Sequence, residues 1–331
     1  MRYSLFKYGT GVLYGIATDL DAVSPNTGPS IGGNEFFMTG VGFDPRHWDD
    51  LFTAAVLDPV KWTDISAGTG TVTTASPNLV LSTGAVAGGI AAIESVATWA
   101  DVQGEIRCTI PRYTIYPTST VNAISLQLYV NATNYCQISV TVGENSSNIN
   151  LLCEVWLNGA VVDSYTAPWT VGTSMFKILR WGTDVYFIVN SAVVLLSHNF
   201  VTTAATFRVY NDNIAANYDV FNTQVEWFYY RPFAVFENQP VHDTVIVSDF
   251  RLRGNAPPSM DNLRQSAAYA GLVDTSVVGN GLFTLADSYL YYYLDGLTVI
   301  DNVQQATKLS LIDDAQVVTP AGYTKGLGGG Y

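Results

Sequence analysis

Glu154, Asp184 and Glu226 each sit inside a strand-like run, and none has a second acid two residues away. Hydrolysis of a glycosidic bond needs two carboxyl groups about 5–10 Å apart, which one strand face supplies at i, i+2 or i+4. No Glu-x-Asp-x-Glu pattern occurs, and the adjacent pairs Asp49–Asp50 and Asp313–Asp314 point apart in extended chain, so they read as loop or helix-start acids. A pair drawn from different strands stays open as an alternative. Two stretches carry the oxygen donors that Ca²⁺ takes: YNDNIAANYD (Asn211, Asp212, Asn213, Asp219) and GENSSNIN (Glu144, Asn145, Asn148). Equally, they carry the Asx side chains of solvated turns. His47, His198 and His242 match no zinc spacing, no Gly-x-Ser-x-Gly elbow occurs, and GTGVLYG lacks the strand and helix that would make it a phosphate cradle. The sequence therefore predicts no catalytic residue, no metal and no cofactor.

Aromatic residues are the remaining chemistry. The chain has 20 Tyr and 7 Trp. In EWFYYRPF, strand alternation puts Trp227 and Tyr229 on one face and Phe228 and Tyr230 on the other; SYLYYYLDG does the same around Tyr289–Tyr293. Such rings serve either subunit and domain packing or sugar stacking. The termini add FKYGTGVLYG near the start and GYTKGLGGGY at the end. Glycine lets a backbone approach closely, and Tyr or Phe supplies contact area at low entropic cost. Phe6, Tyr8, Gly9, Gly11, Tyr14, Gly15, Tyr323 and Tyr331 are accordingly the candidate assembly residues.

The elements that must position these residues are strands. Hydrophobic residues make up 48% of the 331 and charged residues only 13%, with Thr, Ser, Asn, Val, Tyr and Gly in their place. That palette suits strands and turns. ISLQLYVN and CQISVTVG alternate with period two, as half-buried antiparallel strands do. Asn158-Gly159, Gly182-Thr183 and Asn190-Ser191 each separate two apolar runs as hairpin turns would. Ten to fourteen short strands with no room for crossover helices predict an all-β, two-sheet antiparallel sandwich. A helical turn at Trp48–Phe52 and a short helix over Met260–Tyr269, capped by Ser259 and ended by Gly271, are the exceptions. Cys108, Cys136 and Cys153 read as buried free thiols rather than a disulfide framework. The partition expected is an extended arm over 1–42, a sandwich over 43–238, and an extension over 239–331 with short strands, one helix and a glycine-rich tail.

The net charge of −13 argues against nucleic acid and against an anionic membrane surface, since both need clustered Lys and Arg. No run reaches the length of a membrane span, and the opening residues lack a signal-peptide pattern, so synthesis in a cytoplasm is expected.

LFTAAVLDPVKWTDI with NLVLSTG, CEVWLNGAVVDSY and FKILRWGTDVYFIVNSAVV together resemble the concanavalin A-like, or laminin G-like, jelly-roll sandwich over more than half of the chain. KYGTGVLYG is similar to short Tyr-Gly repeats near the ends of tailed-bacteriophage virion proteins. Together these resemblances imply a non-enzymatic structural subunit of a phage particle, of the tail-fibre, baseplate or capsid-decoration class. It would form homo-oligomers, dock on other virion subunits through its terminal arms and reside in the virion. The alternative they imply is a carbohydrate-binding host-adhesion protein with a glycan ligand.

Overall fold

A computed structural model describes residues 3–292 except 9–10, 17–18, 30–31, 42–49, 76–77, 85–87, 111–120, 143–148, 214–221, 237–238, 249, 259–265 and 275–280. Every regular element among the described residues is a strand. Five precede the sandwich: β1 Tyr3–Tyr8, β2 Gly11–Ile16, β3 Asp19–Ser24, β4 Thr27–Pro29 and β5 Glu35–Val41. Fourteen form it: β6 Trp62–Asp64, β7 Thr71–Ala75, β8 Asn78–Ser82, β9 Gly89–Ser95, β10 Val102–Ile110, β11 Val121–Asn131, β12 Asn134–Val142, β13 Ile149–Leu157, β14 Ala160–Pro168, β15 Gly172–Trp181, β16 Asp184–Val189, β17 Ala192–Ser197, β18 Thr206–Asn213 and β19 Asn222–Tyr230. Six follow: β20 Phe233–Phe236, β21 Gln239–Pro240, β22 Val245–Ser248, β23 Arg251–Asn255, β24 Ser266–Asp274 and β25 Gly281–Tyr292.

The chain divides into two compact units. One comprises Pro45–Pro232 with Thr275–Gly281, and holds two seven-stranded antiparallel sheets ordered β14-β13-β12-β11-β18-β9-β6 and β17-β16-β15-β10-β19-β8-β7. The central strands turn alternate side chains inward. Ile124, Leu126 and Leu128 of β11, Ile138, Val140 and Val142 of β12, and Leu151, Cys153 and Val155 of β13 meet Ile106, Phe176, Ile178, Phe187 and Val225 of the opposite sheet in one core. An aromatic cluster anchors it: Trp99 lies 4.5 Å from Tyr230 and 6.3 Å from Phe207, centroid to centroid. Gly104 is required where the Phe207 ring presses on β10, because a Cβ there would fall 2.4 Å from the ring. The expected turns form: Asn158-Gly159 and Asn190-Ser191 have positive φ at both positions, and Gly182 at the first of its pair. All three cysteines are free and buried.

Residues of the N-terminal segment and of the segment from Phe233 onward share the other unit. β3 and β5 pair with β22 and β23 in a four-stranded sheet, and β4 joins β20, β21, β24 and β25 in a five-stranded one. Phe36, Met38, Phe236, Leu252, Leu272 and Tyr289 form a separate small core. The helix expected over Met260–Tyr269 does not form over its described part, because Ser266–Tyr269 begins β24. That strand pairs with β20 and buries Ala270 and Leu272, so tertiary pairing overrides the helix-start signal at Ser259. The helical turn at Trp48–Phe52 falls largely outside the described residues; within them, Asp50 bridges to Phe228 instead.

Candidate functional site

The sheet centred on β11, β12 and β18 has an outward face that differs from an ordinary solvated surface. Its registry arranges side chains in rows running across the strands. One row is aromatic: Trp156, Tyr135, Tyr129, then Thr206. The next is polar and charged: Ser164, Glu154, Gln137, Gln127, Arg208, Glu94. The third is Thr166, Leu152, Ser139, Ser125, Tyr210, Ala92. The fourth brings Asn150, Thr141, Asn122 and Asp212 together.

Outward-facing polar residues on a free sheet surface are normally wet. Here Ser125 and Ser139 are 0% exposed, Gln127 6% and Gln137 7%. The two serines form a floor with longer side chains standing around it, and burial of this kind demands hydrogen bonds. Most are present. Tyr210 donates to Gln137 Oε1 at 2.9 Å, a reach from β18 that carries its ring across β11 at Ser125. Gln137 Nε2 donates to Glu154 Oε2 at 2.9 Å, and Trp156 Nε1 donates to the same oxygen at 3.1 Å. The Trp156 and Tyr135 rings stack 5.5 Å apart and 16° from parallel. Arg208 donates to Glu94 at 2.8 Å and lies over the Tyr129 ring, while Thr206 donates to the other Glu94 oxygen at 2.7 Å.

The electrostatics follow from the burial. The Tyr210 phenol is pushed well above its ordinary value by burial, an effect that the nearby Ser125 hydroxyl partly offsets and Asp212 reinforces. Burial also raises the Asp212 carboxyl, against the pull of two hydrogen bonds from Asn122. Arg208 Nε is buried without a partner at hydrogen-bond distance among the described residues.

The carboxylates of this face are well separated. Glu154 and Glu94 occupy one row but lie four strand spacings apart, about 19 Å at 4.8 Å each. Glu94 and Asp212 face the same way on adjacent strands, four residues apart in register, or about 13 Å along the strand. Each is already tied to its own partners, so what the described part of the face offers is fixed donors, fixed acceptors and an aromatic end.

The other acids singled out from sequence are dispersed. Glu226 pairs with Arg107 at 3.2 Å on the outward face of the second sheet, and Asp184 meets His198 at 2.9 Å. Asp50 accepts from Trp62 Nε1 at 2.9 Å. In the first oxygen-rich stretch, Asp212 turns outward while Asn211, bonded to Leu81 O at 2.8 Å, turns inward, so strand alternation keeps them from converging on one cation. Asp219, the whole GENSSNIN stretch, Asp49, Asp313, Asp314 and His47 lie outside the described residues. Among the described residues, no group of three or more His, Cys, Asp or Glu is placed to hold a metal.

Of the candidate assembly residues, Phe6 and Tyr8 fall in β1, and Gly11, Tyr14 and Gly15 in β2; the two strands pair as an antiparallel hairpin. Gly9, Tyr323 and Tyr331 lie outside the described residues. Trp227 and Tyr229 do share a face, stacked 4.1 Å apart, with the Arg231 guanidinium 4.0 Å over Tyr229.

Sequence reasoning missed Gln127, Gln137, Ser125, Tyr210 and Trp156 as a group. Their alternation was visible, but polar residues at alternate positions read as solvent-facing, and only the register across four strands reveals the cluster.

The architecture is a two-sheet antiparallel jelly-roll sandwich. Among solved structures, the chain is similar to a β-glucanase of Bacillus licheniformis (TM-score 0.44, 12% identity, 56% of this chain and 97% of that one). It is also similar to a prokaryotic β-1,3-1,4-glucanase (lichenase) from a mouse hindgut metagenome (0.43, 11%, 55% and 97%). A third is an immunostimulatory antigen and pseudo β-1,3-glucanase of Mycobacterium tuberculosis (0.42, 14%, 55% and 97%). Likeness at such identities concerns the fold alone. No family model matches the chain, and no curated protein matches it.

These comparisons correct the sequence-based expectation. The structures that resemble the chain carry the names of glycoside hydrolases, and nothing in them points to a phage particle. The assignment to a non-enzymatic virion subunit is therefore withdrawn, with the tail, capsid and virion terms attached to it. The Tyr-Gly stutter that suggested it spans only about ten residues.

Proposed function

We propose that this protein acts on carbohydrate, through the outward face of β13, β12, β11 and β18. One observation carries the reading: Ser125, Ser139, Gln127 and Gln137 point away from the core yet are less than a tenth exposed, and an indole–phenol pair stands beside them. Sugars are recognised by that combination. Their hydroxyls need donors and acceptors held in fixed positions, and their C–H faces need aromatic surface. The Tyr210–Gln137–Glu154–Trp156 chain holds those groups before a ligand arrives, which lowers the cost of ordering them on binding.

The test is affinity electrophoresis of the full chain through gels cast with barley mixed-linkage β-glucan, laminarin, xylan or polygalacturonate, with release of reducing ends assayed in parallel. Retardation by at least one polysaccharide is expected, and Trp156→Ala should weaken it about fivefold to thirtyfold, as loss of an aromatic contact of about 1–2 kcal/mol requires. Reducing-end release, if it accompanies retardation, would be lost in the same variant. No retardation and no release on any of the four, or equal retardation of wild type and variant, would refute the reading.

A further inference from the structure

We infer that Glu154 is the anchor of this face and that the sugar it prefers carries a protonated amino group, as in a chain of glucosamine units; the inference rests on the carbohydrate reading above. Glu154 stands beside the aromatic pair. Trp156 follows it by two residues on the same side of β13, and Gln137 and Tyr135 oppose the two across β12. Both donors that hold the carboxylate reach one oxygen: Gln137 Nε2 at 2.9 Å and Trp156 Nε1 at 3.1 Å, each to Oε2. Oε1 takes no hydrogen bond from a described residue and, unlike Arg208 Nε, is not sealed from solvent. The half-buried carboxylate is thus fixed through one oxygen and presents the other next to two rings stacked 5.5 Å apart.

The donors on Oε2 are neutral, so they orient the charge without cancelling it. Among the described residues, no Lys or Arg makes an ion pair with Glu154. Arg208 lies in the same row but three strand spacings away, about 14 Å, and already holds Glu94 at 2.8 Å. Asp212 adds a further carboxyl to the face. The Glu154 charge is felt locally: the Tyr135 phenol is raised above its ordinary value by burial first and by Glu154 second.

What this corner lacks is a cation. An ammonium carries three donors and no acceptor, makes a charge-assisted hydrogen bond to a carboxylate oxygen, and is attracted to indole and phenol rings within about 6 Å. A sugar hydroxyl also donates to Oε1 but leaves the charge uncompensated, so a neutral glycan binds more weakly. A uronate brings a like charge and is repelled.

The experiment is calorimetric titration of the full chain at about pH 6 with a glucosamine oligomer and with N-acetylglucosamine and glucose oligomers of equal length. Wild type is expected to bind the amino form about fivefold to twentyfold more tightly, an advantage that shrinks as salt is raised. In Glu154→Gln the amide oxygen still serves Gln137 and Trp156 while the nitrogen turns outward and donates, so the advantage should vanish. Glu226→Gln removes the same charge from the other sheet and should leave the advantage intact, which separates Glu154 from the general attraction of an acidic chain. Circular dichroism and thermal unfolding report that both variants fold; if Glu154→Gln does not, the wild-type ratio decides alone. Equal binding of the three oligomers by wild type overturns the anchor and leaves the carbohydrate reading standing. So does a preference that survives in folded Glu154→Gln, or that Glu226→Gln abolishes equally. If no oligomer binds but the gels above retard the chain, the anchor alone falls; if the gels fail too, both readings fall.

Discussion

Replacing Arg180 with methionine removes a fully buried charge from the sandwich. Arg180 points inward from β15 and is 0% exposed. Among the described residues, its bonds go to main-chain oxygens. It donates to three carbonyls: Ala100 O, Thr203 O at 3.0 Å and Trp99 O at 3.3 Å. Its planar head also lies 5.6 Å from the Phe200 ring centroid. One side chain thereby ties the segment before β10 to the segment before β18. Burial holds its pKa below the ordinary arginine value, with Cys136 and Asp101 acting in the opposite sense; arginine remains charged at neutral pH all the same. Methionine fills similar length but leaves carbonyls behind. Trp99 O keeps a second donor, the Ala205 amide at 2.9 Å, so the loss falls on Ala100 and Thr203. Ala100 is half-buried and Thr203 exposed, so water reaches part of what is stranded; the two acceptors together cost about 1–3 kcal/mol, and recovering the desolvation of the guanidinium offsets part of that. The expected net loss is about 1–2 kcal/mol, or roughly 2–8 °C in Tm for a unit of this size. Arg180→Lys should not rescue it, because a single ammonium cannot reproduce the fork. Urea denaturation followed by tryptophan fluorescence measures both. If Arg180→Met lies within about 0.5 kcal/mol of wild type, the carbonyl cage is not what holds these segments, and the argument fails.

Four further outcomes follow from the same fold. The Cys136 and Cys153 thiols are both pushed up to about 12 by burial, and Cys108 higher still, so none of the three should react with a disulfide reagent at pH 8 until the chain is unfolded; rapid labelling of the native protein would contradict this. Gly104→Ala should cost about 1–3 kcal/mol in urea denaturation, since the new methyl meets the buried Phe207 ring at 2.4 Å; an unchanged midpoint would mean that the ring moves freely. Ser191 has φ 71°, which glycine adopts more readily, so Ser191→Gly should raise the denaturation midpoint by a few tenths to 1 kcal/mol; a lower midpoint would show that the turn is not strained. Asp212 has a folded-state pKa above its unfolded value of 3.8, raised by burial, so the folded form binds the extra proton and stability contributed there is lost as pH rises through that window. Asp212→Asn should therefore gain on wild type as pH rises from about 3.5 to 6; a urea midpoint of the variant minus that of wild type which stays constant or falls across that range would refute the shift.

Much of the fold was legible because its signals are local. Period two over ISLQLYVN and CQISVTVG places Ile124, Leu126, Ile138 and Val140 in the core, and the Asn158-Gly159 turn joins β13 to β14 as its φ preference demands. The segment around Ser266 was misread for the opposite reason. Ser-Ala-Ala-Tyr-Ala carries no strong preference, and its strand state is decided by β20, more than thirty residues earlier in the chain. Arg180 was invisible as a core residue: a basic residue at the end of a strand ordinarily reaches water, and the carbonyls that hold it lie some twenty and eighty positions away in sequence.

The candidate site was hidden by a deeper feature of sheets. Taken one strand at a time, Ser125, Gln127, Ser139 and Gln137 look like the wet half of an amphipathic strand, and the search for acids at i and i+2 looks along a single chain segment. The contacts that make the face run at right angles to that, from Trp156 and Glu154 through Gln137 to Tyr210, across β13, β12, β11 and β18. A slip of one residue in any of those pairings would turn the serines and glutamines inward and the isoleucines and leucines out, which the core cannot tolerate. The register that fills the hydrophobic core is therefore the same register that aligns the polar row. Packing the inside of the sandwich positions the groups on its outside, and a change such as Ile138→Ser, though its side chain points to the opposite side of the sheet, should loosen the face as well as the core. Polysaccharide retardation that survived in a folded Ile138→Ser chain at wild-type strength would show that the outward network holds its own geometry without that support.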